Sequence, residues 1–246
     1  MATYRWMVLM MVLLTGCASS GMSSERALNS AKIHTEIAGL YYERSQMGAA
    51  LNELDIAIAA KSDYAPAYNV RALVHMALHE DKEAEEDFQR SLSVDKGASE
   101  TQSNYGWFLC QRGKEKESIP HFIAAVKNPL YQSPDHAYLN AAVCSQKINS
   151  NAAAEDFYQR ALEVRPGLPQ ALLGMAQLDF AKGDFRSAKR YFDDYAAKND
   201  SLSAEELWLA VRIERQIGNR NAVASYSMKL RNLFPESKEA RLLDAN

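Results

Sequence analysis

The chain contains little of what enzymes and membrane channels need. Among its 246 residues there is no G-x-S-x-G elbow to expose a serine nucleophile and no G-x-x-x-x-G-K-[ST] loop to cradle phosphate. A Gly-rich dinucleotide turn and the H-E-x-x-H zinc signature are also missing. No apolar run approaches the roughly twenty residues that span a bilayer as a helix. The formal charge is −3, with neither a basic excess nor a basic patch carrying aromatic platforms, so nucleic acid is not an expected partner. Cysteine is scarce, at three residues. His75 and His79 lie four apart beside Glu80, a spacing that can bind metal, but they fall where a polar turn is expected and bring no further ligand. The sequence therefore predicts no metal site, no catalytic residues and no enzyme activity.

What the chain does have is a period. A small residue followed four later by a large apolar or aromatic one recurs as Ala50/Leu54, Ala84/Phe88, Ser118/Phe122, Ala154/Tyr158, Ala188/Phe192 and Ala222/Tyr226. Four of the five intervals are 34 residues and the third is 36, so the register slips once, near Gln132 to Pro134. Ahead of these pairs in each unit stand Ile37-Ala38, Arg71-Ala72, Tyr105-Gly106, Ala141-Ala142, Met175-Ala176 and Leu209-Ala210, whose small members let helices approach closely. Turn residues separate the two sets: Gln46-Met47-Gly48, His79 to Lys82, Arg112-Gly113-Lys114, Asn149-Ser150-Asn151, Lys182-Gly183-Asp184 and Gly218-Asn219-Arg220. Pro120 sits inside the second helix of the third unit, where it removes a backbone donor. The acidic run Glu83, Glu85, Glu86 and Asp87 reads as the solvated face of a helix.

This pattern resembles the tetratricopeptide repeat, in which each unit is a helix A, a turn and a helix B. The resemblance implies an all-α, right-handed superhelical solenoid over residues 30–246, with six repeats at about 31–64, 65–98, 99–132, 135–168, 169–202 and 203–236.

The first residues form a separate signal. Arg5, the short apolar run Trp6 to Leu14, and then Leu14-Thr15-Gly16-Cys17 resemble a bacterial lipoprotein signal peptide ending in a lipobox. The expectation is removal of residues 1–16 and acylation of Cys17, which becomes the N-terminus, with no cofactor beyond this covalent lipid. A secretory peptide with a chance cysteine or a retained anchor are the alternatives. Ala18 in place of Asp after the cysteine favours the periplasmic face of the outer membrane. Residues 17–29, small and polar, read as a flexible tether of about 20 Å.

With Cys17 acylated, Cys110 and Cys144 remain, one repeat apart on consecutive A helices. An oxidising periplasm favours a disulfide between them over two buried free thiols, provided their Cα atoms lie within about 7 Å. Positions expected to line the concave face of the A helices are Tyr42, Asn69, Leu73, Met76, Trp107, Leu139, Val143 and Gln146. They make an apolar groove with amide edges, although for any one of them packing between repeats is an equal reading. Thr35 and Gly39 stand where a carboxylate clamp would begin, which disfavours a C-terminal carboxylate ligand.

The lipobox, the Ser-rich segment after it, six repeats, the segment from Asn104 to Cys110 and the ending Tyr226 to Pro235 together resemble the type IV pilus biogenesis and stability lipoproteins, the PilF/PilW family. That resemblance implies a pilotin: a lipid-anchored outer-membrane protein that binds secretin subunits and promotes their localisation and multimerisation. Pilus biogenesis and twitching motility would then depend on it. A monomer is expected, although the sequence itself does not decide self-association. The alternative is an outer-membrane lipoprotein adaptor that uses the same groove for envelope enzymes or barrel-assembly factors.

Overall fold

The computed structural model describes residues 18–244, with side chains described over 23–243; Cys17 and the expected signal peptide lie outside the described residues. Among the described residues there are thirteen α-helices and no strand. They are α1 (Ala18–Glu43), α2 (Met47–Ala60), α3 (Ala65–Ala77), α4 (Asp81–Val94), α5 (Ser99–Gln111), α6 (Glu115–Val126) and α7 (Pro134–Lys147). There follow α8 (Asn151–Val164), α9 (Pro169–Lys182), α10 (Phe185–Ala196), α11 (Ala204–Ile217), α12 (Arg220–Leu233) and α13 (Lys238–Asp244). In chain order the first twelve alternate as helix A and helix B of six repeats, with α1 packed on α2, α3 on α4, α7 on α8, α9 on α10 and α11 on α12, and α13 follows the last.

The period is visible in the backbone. Each A helix ends at a residue of positive φ: Ser45 (58°), His79 (61°), Gly113 (77°), Asn149 (57°), Gly183 (84°) and Gly218 (83°). A left-handed residue there lets the chain reverse and its amides reach the last carbonyls, as Gln46 N does to Tyr41 O at 2.8 Å and Asp184 N to Asp179 O at 2.9 Å. The first turn corrects the sequence reading. Ser45 takes the strained conformation, while Gly48 lies inside α2. Pro is placed where the helix tolerates it, in the first turn of α3, α7 and α9. Pro120 is the exception, and α6 continues through it.

The chain divides into two compact bodies, Met1–Phe108 and Leu109–Asn246. In the first, Ala31, Ala38, Ala50, Leu54, Ala57, Ala67 and Val74 form a core that seals α1, α2 and α3. Phe88 of α4 packs against Tyr105 and Phe108 of α5 with ring centroids 5.4 and 5.7 Å away. In the second, one cluster centres on Tyr158, Met175 and Leu178, and another on Phe192, Leu209 and Ile213. A third joins Leu207, Val211 and Leu230 to Ala240 and Leu243 of α13. The recurring B-helix pairs are fully or almost fully buried in the first five repeats, whereas Ala222 and Tyr226 of the last are only half-buried. Among the described residues the element after α12 is the short α13, which packs against Leu230.

Residues 18–29 differ from the expected tether. They are the opening turns of the 26-residue α1, in which Ala31, Thr35 and Ala38 are buried. Serine and alanine without proline allow helix, and the buried stripe that follows extends it backwards.

Candidate functional site

Helix A presents its ligand-facing positions at fixed places in each repeat, so the expected groove residues can be compared by register. In the first body, Leu73 and Trp107 share the ninth position of their repeats, and Tyr42 and Met76 the twelfth; all four are half-buried. Leu73, Met76 and Trp107 thus keep apolar surface in contact with solvent, while the neighbouring small residues Ala38, Ala72 and Gly106 are buried. Tyr42 also packs against the core of α1 to α3. Asn69 is buried, and its Oδ1 accepts a hydrogen bond from Asn104 Nδ2 at 3.1 Å, linking α3 to α5 across one repeat. By helical spacing Asn69, Leu73 and Met76 share one face of α3, as Asn104 and Trp107 share one face of α5, and the amide bridge joins the two helices.

The second body treats the equivalent residues differently. Leu139 is 8% exposed and belongs to a core cluster, against which Val143 packs. Gln146 Oε1 accepts the hydroxyl proton of Tyr158 at 2.5 Å. These three are packing and positioning residues, because α7, α8 and α9 close tightly around Tyr158. Sequence register cannot separate a groove position from a core position when the neighbouring helix approaches this closely.

Charged groups missed by the sequence reading hold the first body together. Arg71 of α3 donates from Nε and Nη2 to both oxygens of Asp87 on α4, at 2.7 and 2.8 Å, and from Nη1 to Asp55 of α2 at 3.2 Å. Asp87 is therefore buried, not part of a solvated acidic face, whereas Glu83 and Glu86 beside it are exposed. Glu85 accepts the Tyr105 hydroxyl at 3.2 Å. The signal available in sequence was the i, i+16 spacing of Arg71 from both aspartates, which spans one helix hairpin.

His75 Nδ1 lies 2.6 Å from Glu80 Oε2, and His79 occupies the left-handed turn position. Among the described residues no three His, Cys, Asp or Glu side chains gather as metal ligands would. Nor, among them, is any helix long and apolar enough to cross a membrane. Cys110 and Cys144 are bonded, with S–S 2.04 Å and Cα atoms 5.9 Å apart, and both are fully buried. Lys147 Nζ donates to the Cys110 carbonyl at 3.3 Å beside them.

Six A–B helix units at a period of 34 residues with one 36-residue step, with small residues buried on A and a small/large pair on B, define a tetratricopeptide-repeat protein. Residues 135–167 match the Tetratricopeptide repeat family. Over 236 residues the chain is 26% identical to the type IV pilus assembly protein PilF of Pseudomonas aeruginosa, covering 94% of this chain and 93% of that protein. The fold is similar to the crystal structure of PilW, a widely conserved type IV pilus biogenesis factor, with TM-score 0.76 and 30% identity, covering 87% of this chain and 97% of that one. It also superposes on P. aeruginosa PilF with TM-score 0.83 at 24% identity, covering 89% and 98%. The chain belongs to the tetratricopeptide-repeat family of type IV pilus biogenesis factors that includes PilF and PilW.

Proposed function

We propose that this protein is a pilotin: a lipoprotein acylated at Cys17, seated on the periplasmic face of the outer membrane, that binds secretin subunits and promotes their multimerisation there. The observation that carries the reading is the half-buried apolar series Leu73, Met76 and Trp107 on α3 and α5, beside the Asn69–Asn104 bridge. Such a surface suits a partner segment that brings apolar side chains and main-chain polar groups together. A secretin subunit before assembly exposes unpaired strand edges, and covering them delays premature pairing until a closed barrel can form. Family membership supplies the pilus context.

The test compares secretin in outer-membrane fractions of a strain lacking the protein with one carrying Cys17→Ser. The proposal expects loss of heat-resistant multimers in the first and assembled but misplaced multimers in the second. Normal, correctly placed multimers in both would reject it.

A further inference from the structure

The last two repeats carry a pocket that the pilotin reading does not use. A cavity of about 370 Å³ is lined by Phe180 of α9 and by Trp208, Arg212, Arg215 and Gln216 of α11. Trp208, Arg212 and Arg215 follow one another at i, i+4 and i+7, so they share one face of α11. Among the described residues no acidic side chain lines the cavity.

Both guanidinium groups are held by rings and not by carboxylates. Arg212 lies over the Phe180 ring at 4.5 Å and Arg215 over the Trp208 ring at 5.4 Å. A ring contact of this kind uses none of the guanidinium N–H groups, which stay donors for a carboxylate. Arg212 Nε is buried and has no hydrogen-bond partner among the described residues. Burial also holds the Arg212 guanidinium below its usual range, as expected for a cation without a counter-ion.

The neighbouring carboxylates make their own contacts. Glu214 lies on the same helix between the two arginines, but it is 3% exposed and does not line the cavity; its Oε1 takes Lys189 Nζ of α10 at 2.5 Å, and its Oε2 is buried without a hydrogen-bond partner among the described residues. Glu206 closes the capping box of α11 with Ser203 and accepts the Tyr195 hydroxyl. Asp179 pairs with Lys182 at 3.8 Å, and Asp184 caps α10. Among the described residues no carboxylate is thus paired with either guanidinium, and Arg212 is partly withdrawn from water.

We propose that this pocket binds an acidic segment of a protein partner, with Asp or Glu carboxylates on the Arg212 and Arg215 edges and an adjacent apolar or aromatic side chain against Phe180 and Trp208. The mix of two arginines with two aromatic rings favours a peptide over a lipid phosphate, since a headgroup brings no side chain to fill the ring-lined part of the cavity. The site shares no residue with the series Leu73, Met76 and Trp107, and it stands or falls independently of the pilotin role.

The test uses the full-length protein and a short fluorescein-labelled peptide rich in Asp and Glu with one Phe, compared with its Asn/Gln counterpart. Binding is followed by polarisation, and the Nε–H resonances of Arg212 and Arg215 by nitrogen-edited NMR. The proposal expects shifts at both resonances with the acidic peptide only. It also expects affinity to fall roughly tenfold or more for the Asn/Gln peptide and for the Arg212→Gln/Arg215→Gln protein. Unmoved arginine resonances would overturn it, and so would equal binding by the double variant. Arginine-dependent binding of phosphatidylglycerol vesicles without peptide binding would also overturn it, in favour of a lipid site. Because the resonance readout needs only the wild-type protein, a misfolded double variant would still leave the proposal testable.

Discussion

Gly174 of α9 lies against the ring of Tyr158 on α8: a Cβ added to the glycine would stand 2.3 Å from the ring's Cζ. The ring cannot swing aside freely, because it is 2% exposed and its hydroxyl is bonded to Gln146. The absence of a side chain at 174 is what lets the two helices close.

Gly174→Ala should therefore destabilise the protein by about 1–3 kcal/mol of overpacking, partly offset by alanine's better helix propensity. Gly39→Ala in α1 is the control, since a Cβ there meets nothing within 4 Å. It should stabilise by roughly 0.5–1 kcal/mol. Urea midpoints measure both, and an unchanged midpoint for Gly174→Ala would show that the tyrosine yields.

Stability should fall in alkali. Burial pushes the Tyr158 hydroxyl up to about 12, and burial followed by the Glu206 carboxylate pushes Tyr195 up to about 12. An unfolded tyrosine ionises near 10, so these contributions are intact below about pH 10 and are lost as pH rises through 12. The Tyr158→Phe/Tyr195→Phe protein should show a shallower loss of urea midpoint across that window. Equal slopes would contradict the assignment.

The Arg71–Asp87 pair should be worth more than any exposed pair. Asp87→Ala leaves a largely enclosed guanidinium with only the exposed Asp55 and should cost about 2–3 kcal/mol, discounted because Arg71 keeps some contact with water. Glu86→Ala, one residue away and exposed, should change stability by no more than about 0.5 kcal/mol.

Reduction should matter in the second body. The Cys110–Cys144 bond closes a loop of sequence separation 34, which chain-entropy reasoning values at about 4 kcal/mol. The Cys110→Ser/Cys144→Ser protein should unfold at lower urea in the absence of reductant. With reductant the wild-type midpoint should fall to meet it; a wild-type midpoint insensitive to reductant would argue against the contribution.

For function, Leu73→Glu places a charge on a half-buried apolar position while leaving the core clusters intact. A folded, correctly localised Leu73→Glu protein that no longer supports secretin multimers is the expected result. Multimers at wild-type level would remove this surface from the pilotin proposal.

The hairpins were legible in sequence because their signals are local and repeated: a left-handed turn, a small residue where helices cross, and an aromatic to fill the gap. What escaped depended on distance in space. The burial of Asp87 needs Arg71 from the neighbouring helix, and Leu139 leaves the groove only because Tyr158 and its neighbours pack around it. At the first turn the glycine signal pointed to Gly48, yet Ser45 bears the positive φ, since the packing of α1 and α2 outweighs the modest cost of a non-glycine residue there. The helical start of α1 escaped for a related reason. Small polar residues are permissive, and a neighbouring buried stripe decides their conformation.

The 36-residue interval has a practical side. Its extra length is taken up between Val126 and Pro134, where Leu130 is 78% exposed while Tyr131 tucks in at 9% and Asn128 receives the Leu130 and Tyr131 amides. The chain already carries an insertion here without losing α6 or α7. This splice point is where an epitope or fluorophore could be introduced to follow the protein in cells with both flanking helices undisturbed.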